Sequence, residues 1–201
     1  MIVFFALTLF GSPAVADDDH CGKLKDSTPE DLRMFLQAAA PSRDDPNCLT
    51  FALKMLGNKR YALAAEVISS FLDFRRPKTD EEKSGLYIRT QGLEELYPAA
   101  YALYMIGENA LPVVLSVIKS SSSFQLAREN AVFVWMEIQR DSSPKAVAAL
   151  LQEAARAPDP VSRQNLKWAA SRALIWCNPP DEAQCKVALF GPKSRPAMQN
   201  K

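Results

Sequence analysis

A stretch of this chain occurs twice, fifty residues apart, and no other feature narrows its possible folds as far. Phe51-Ala52-Leu53-Lys54-Met55-Leu56-Gly57 returns as Tyr101-Ala102-Leu103-Tyr104-Met105-Ile106-Gly107. The register persists beyond the turn, with Ala65-Glu66-Val67-Ile68-Ser69-Ser70 falling over Leu115-Ser116-Val117-Ile118-Lys119-Ser120. Two helices and the turn between them are duplicated as a unit. Such units cannot bury an apolar face alone and do so by stacking. Gly57 and Gly107 hold the same place just past the first helix, where a left-handed residue ends a helix without a side-chain penalty. Ala52 and Ala102 keep side chains small where paired helices approach closely.

The rest of the chain reads as all-α. Thr28-Pro29, Asp45-Pro46, Ser143-Pro144 and Asp159-Pro160 each place a capping oxygen before a proline suited to the first helical position. Asn109 is expected to cap a further helix that holds Pro112 in its first turn. Apolar residues recur at helical spacing: Ala127, Ala131, Val134 and Ile138; Val147, Leu150, Leu151 and Ala154; Leu166, Ala170, Ala173 and Cys177. Helix 125–139 with helix 144–157 makes a third pair, and helix 160–177 opens a fourth, 71 residues separating Ala102 from Ala173. That spacing is two periods of about 35, within the range of two-helix repeats. Residues 28–39 and 181–189 are expected to cap the two ends.

One resemblance follows from these residues. Ala102-Leu103, Ile106-Gly107, Ala110-Leu111-Pro112, Leu115 and Ile118 are spaced as in the helix-turn-helix signature of HEAT repeats. The match resembles the HEAT-like (armadillo-type) class first noted in phycobilisome lyases, in an exported bacterial form. It covers residues 98–120 well and 49–70 fairly, while periodicity alone extends it beyond Phe124. Tetratricopeptide-like repeats share the period but not the Trp, Leu-Gly and Tyr spacing. The resemblance implies an α-solenoid of about four antiparallel helix pairs whose second helices line a concave protein-binding surface. It implies architecture only, carrying no catalytic residues and no lyase activity. On that surface the polar positions Glu66, Ser69, Asp73, Ser116, Lys119, Glu153 and Arg156 are the candidate contacts.

The ends of the sequence point to export. Ile2 to Phe10 is apolar, Gly11-Ser12-Pro13 breaks the run, and Ala14-Val15-Ala16 supplies a small-x-small cleavage pattern. The run is shorter than the roughly 20 apolar residues of a membrane span, so residues 1–16 are expected to be a signal peptide. No Lys or Arg precedes the run. A mature chain from Asp17, secreted or periplasmic and without a stable membrane span, is the expectation. Residues 17–190 would form the repeat domain, with a charged insert at 75–92 serving as a solvated connector or a binding loop. Residues 191–201 would form a disordered tail. The chain has four cysteines, an even number that favours disulfides in an oxidising compartment. Of three possible pairings, Cys21–Cys48 with Cys177–Cys185 suits an elongated array, because bridged Cα atoms lie roughly 4.4–6.8 Å apart.

The residue inventory removes several chemistries. His20 is the only histidine and sits beside the cleavage site, which excludes a Ser-His-Asp or Cys-His catalyst and a histidine-based metal centre within the fold. No C-x-x-C pair occurs, and no glycine-rich phosphate loop. A net charge of +1 gives no general attraction to nucleic acid. Glu94-Glu95 and Asp80-Glu81-Glu82 are adjacent carboxylates whose side chains diverge on a helix, so neither forms an acid and base across one substrate. Trp135, Trp168 and Trp176 are expected mainly in packing, Trp168 being the most exposed. The expectation is a non-catalytic scaffold in the cell envelope, without cofactor, that binds another protein or peptide. The alternative is a cell-wall glycan-acting enzyme using Glu94 or Glu95 as a lone acid.

Overall fold

The computed structural model describes residues 21–40, 42–84, 92–177 and 181–190. The expected leader, His20, the 85–91 part of the insert, the Pro179-Pro180 turn and the 191–201 tail lie outside them. Among the described residues every regular element is helical: α1 (Gly22–Lys25), α2 (Pro29–Ala39), α3 (Pro46–Asn58), α4 (Ala65–Ser69), α5 (Asp80–Lys83), α6 (Leu93–Leu96), α7 (Pro98–Ile106), α8 (Leu111–Lys119), α9 (Gln125–Ile138), α10 (Ser143–Arg156), α11 (Pro160–Ala173) and α12 (Glu182–Phe190). Short 3-10 turns precede α4, α8 and α10 and follow α11.

Three of the four proline starts work as their sequences predict. The Thr28 hydroxyl accepts from Asp31 N–H while the Asp31 carboxylate accepts from Thr28 N–H, a reciprocal capping box. Asp45 accepts from Cys48 N–H and Asp159 from Ser162 N–H. The fourth differs. Ser143 lies inside α10, buried, and its hydroxyl donates to the Arg140 carbonyl at 2.9 Å, so it closes the preceding 3-10 turn and caps nothing. Asn109 also is no cap, since it sits within the 3-10 turn Gly107–Ala110 and α8 starts from Ala110.

The duplicated glycines turn out to have different reasons. Gly107 has φ 76° and ψ −144°, a conformation essentially reserved for glycine, and it ends α7. Gly57 is an ordinary helical residue of α3. There the left-handed residue is Arg60, at φ 49°. Its N–H donates to the Gly57 carbonyl and the Tyr61 N–H to the Leu56 carbonyl, the pattern of a Schellman end. Gly57 is needed for proximity: a Cβ on it would lie 2.7 Å from Ala102 Cα, in the facing helix α7. The small alanine expected at a close approach is therefore real, and its partner is the glycine of the other copy.

The packing order repeats. In succession, α2 lies on α3, α4 on α7, α8 on α9 and α10 on α11. Helices α3, α7, α9 and α11 also touch one after another. The faces expected from periodicity supply the core, with Ala131, Val134, Val147, Leu150, Leu166 and Ala170 all buried. Two buried polar side chains tie distant elements together. The Asn130 amide donates to the Leu72 carbonyl at 2.6 Å, and the Trp135 indole N–H to the Ala146 carbonyl at 3.1 Å. Residues 98–119 are long and apolar enough to cross a membrane by length and composition. In the fold they are two helices parted at Gly107, and Leu103, Ile106, Val114 and Ile118 are buried in the core.

Both expected disulfides are present. Cys21–Cys48 joins the start of α1 to α3 with Cα atoms 5.4 Å apart, and Cys177–Cys185 joins the end of the last 3-10 turn to α12 at 6.7 Å. Cys185 is the buried residue of α12, which packs on α10. Such bonds form and persist in oxidising environments.

Candidate functional site

The residues expected to form one recognition surface are divided by the fold. Glu66 is exposed and lines a groove of about 300 Å3 with Arg33, Gln37, Leu63 and Ser70, between α2 and α4. Ser69 turns its hydroxyl onto the Glu66 carbonyl at 2.7 Å. Asp73 holds Arg43 at 2.8 Å, and that guanidinium also donates to the Ser70 carbonyl and lies 5.8 Å over the Phe71 ring. Ser116 and Lys119 border a second groove, of about 460 Å3, with Asp159, Val161 and Ser162. There the Lys119 ammonium donates to Glu153 at 2.7 Å, and Arg156 approaches the same carboxylate at 3.7 Å. Asp73, Lys119 and Glu153 therefore spend their charge on partners within the chain. Glu66, Ser116 and Arg156 remain exposed.

A groove on the other helices was not read from the sequence. It holds about 290 Å3 and is lined by Tyr97 at the start of α7, Leu126 and Glu129 on α9, and Arg172, Ile175 and Trp176 at the end of α11 and its 3-10 turn. Leu126 is 37% exposed and Ile175 is 59% exposed, unusual for large aliphatic side chains beside a concave surface. Trp176 packs edge-on against Phe133, ring centroids 4.9 Å apart. Glu129 and Arg172 face each other across the groove rim at 3.5 Å. Periodicity assigns Trp176 to packing, which its contact with Phe133 satisfies on one side only. Trp135 is buried as expected, and Trp168 is half-buried beneath the Arg128 guanidinium at 5.8 Å.

A cleft of about 570 Å3 lies between α3 and the connector that follows Phe74. The described part of that connector carries the short helix α5 and leaves Arg75, Lys78, Asp80 and Lys83 exposed, as expected of a solvated connector, but one ion pair within it is largely buried. The Arg76 side chain is 13% exposed and makes a two-pronged pair with Glu82, itself 9% exposed, at 2.7 and 3.0 Å. Arg76 also donates to the Glu95 and Pro77 carbonyls, and its backbone N–H to the Leu96 carbonyl. Thr79 and Glu82 form a reciprocal capping box at the start of α5. Glu95 lines this cleft, while the side chain of Glu94 lies outside the described residues.

The Arg76 guanidinium, with the Thr79 N–H and the Arg75 charge, holds the Glu82 carboxyl at about 2, well below its ordinary 4.5. A depressed acid stabilises the fold above its unfolded value, and that contribution is lost as pH falls through the folded one. Wild type should thus be more stable than Glu82→Gln at pH 6, the difference closing between about pH 4.5 and 2. Chemical unfolding of both chains across that range measures it; a difference independent of pH would contradict the clamp.

Cys21, Asp45 and Cys48 form the one group among the described residues with metal-ligand donors in reach of one another. Its two sulfurs are joined in the disulfide and Asp45 caps α3, so the group carries no metal argument. Compared with known protein families, curated proteins and solved structures, the chain matches none.

Proposed function

We propose that this chain is a non-catalytic scaffold that binds another protein or peptide in an oxidising, extracytoplasmic compartment, its helix pairs stacking as a HEAT-like solenoid. The observation that carries the reading is the groove of Tyr97, Leu126, Ile175 and Trp176. Aromatic and aliphatic side chains presented beside an Arg and Glu rim are the composition of a recognition hot spot. The first helices of the expected units, α3, α7, α9 and α11, each touching the next, support a stacked architecture. The two disulfides support the compartment. The groove shifts the proposed contact surface from the second helices toward α9 and α11, with Glu66, Ser116 and Arg156 left as secondary contacts.

The carboxylate alternative has one observation in its favour, that Glu95 lines the cleft beside α3. Lys54 and Lys78 line it too, and among the described residues no second carboxylate does, so acid catalysis draws less support there than binding. Loss of peptidoglycan turnover in Glu95→Gln would reverse that preference.

The test of binding uses a photoreactive residue at position 175 or 126 of the full chain in its native compartment. One discrete adduct is the expected result, with none from the exposed position 152 on α10. Equal yields from all three positions would overturn the proposed site.

A further inference from the structure

We infer that the cleft between α3 and the Arg76 connector binds an acidic peptide segment, two lysines on opposite walls taking its carboxylates. The inference deepens the peptide-scaffold reading and rests on it. Asn47, Thr50 and Lys54 line one side from α3, and Lys78, Thr79 and Glu95 line the other from the connector and α6. The volume, about 570 Å3, is in the range of specific ligand sites.

The charges decide the ligand class. Arg76 at the cleft is matched by Glu82 and its donors are committed to that carboxylate and to two carbonyls. Lys54 and Lys78 are both exposed and have no ion-pair partner among the described residues, in a chain where Lys83, Lys119 and Lys186 each have one. Arg75, next along the connector, is exposed in the same way. Among the described residues Glu95 is the sole carboxylate of the lining, against Lys54 and Lys78, an excess of positive charge there. Concave surfaces focus such a field, which draws and orients an anionic partner. The Asn47 amide suits peptide amides, whereas the Thr50 hydroxyl already donates to the Pro46 carbonyl and the Thr79 hydroxyl accepts from Glu82 N–H. Among the described residues no base-stacking aromatic and no backbone phosphate cradle lines the cleft, which sets a peptide above a nucleotide. The Arg76 clamp holds the connector wall in place, so binding requires little ordering of that side.

The experiment titrates the oxidised full chain with a labelled hexaglutamate peptide, with hexalysine and with anionic phosphatidylglycerol vesicles as parallel arms. Lys54→Glu/Lys78→Glu is compared with Lys167→Glu, an exposed charge reversal on α11, all variants being checked for an unchanged unfolding midpoint. The expected result is saturable binding of hexaglutamate alone, weakened by salt and reduced at least tenfold in the double variant but not in Lys167→Glu. No binding, equal binding of hexalysine, capture by vesicles instead of peptide, or indifference to the double variant would each overturn the inference. A position-175 adduct that persists in the double variant, with no hexaglutamate binding, would remove this inference and leave the scaffold reading standing.

Discussion

Replacing Cys21 and Cys48 together by alanine is expected to lower the unfolding free energy by about 3.5 kcal/mol, the loop-entropy value for a closed loop of this length. The bridge spans 27 residues and encloses α1 and α2. Helix α2 buries fully only Leu32 and Leu36, with Phe35 and Ala39 partly buried on the core, so its hold on α3 is small enough for the bridge to matter. For a chain of this size such a loss shifts the melting temperature by roughly 7–14 °C. Thermal unfolding of wild type and double variant, both without reductant, makes the comparison; a shift under about 2 °C would mean the cap docks without its staple. Cys177–Cys185 spans only 8 residues, for which the same relation gives about 2.5 kcal/mol. Its loss should release α12 locally and leave the remaining helices cooperative.

Gly57→Ala is expected to destabilise the chain by about 1–2 kcal/mol, and Gly57→Val by about 3, as overpacking of a tight interface does. The sign is what makes the substitution informative. On helix propensity alone, alanine for a glycine inside a helix would gain about 1 kcal/mol. Here the new Cβ meets Ala102 Cα at 2.7 Å and Ala102 Cβ at 3.1 Å, and backbone atoms cannot turn aside as a flexible side chain can. Helices α3 and α7 would have to separate. Gly107→Ala tests the other mechanism, since a Cβ there meets nothing within 4 Å but the backbone conformation opposes it. Denaturant unfolding separates crowding from strain: the loss at position 57 should grow from alanine to valine with the volume added against the Ala102 backbone, while Gly107→Ala should lose stability with no neighbouring atom to relieve. A stabilised Gly57→Ala would refute the close approach.

These glycines also show what the sequence could reveal. Repetition marked both as equivalent and placed an alanine opposite a tight approach, but it could not say that Gly57 faces Ala102 of the other copy. Periodicity fixes the phase of a helix; it does not fix which neighbour lies against that phase. The disulfide pairing was legible because the cysteines stand at opposite ends of a repeating chain. Ser143 and Asn109 looked like caps because their neighbours fit, yet 3-10 turns at Arg140–Ser142 and Gly107–Ala110 moved the helix starts past or onto them. The recognition surface was the least legible part. Lys119 and Glu153 are 34 residues apart in sequence, so their mutual neutralisation follows only from tertiary packing. Leu126 and Ile175 likewise look like core positions until their helices are placed, and Trp176 is half core and half surface.

The central claim is that the groove of Tyr97, Leu126, Ile175 and Trp176 is where this scaffold holds its partner. The most direct measurement is the affinity of the partner recovered through the position-175 adduct, for wild type and for Leu126→Asp and Ile175→Asp. Ile175 is 59% exposed and Leu126 37%, so each variant is first required to keep the wild-type unfolding midpoint. Removing a hot-spot side chain from an interface costs at least about 2 kcal/mol, which corresponds to roughly a thirtyfold weaker Kd. A fall of that order in either variant is the predicted result; affinities within about twofold of wild type in both would contradict the claim.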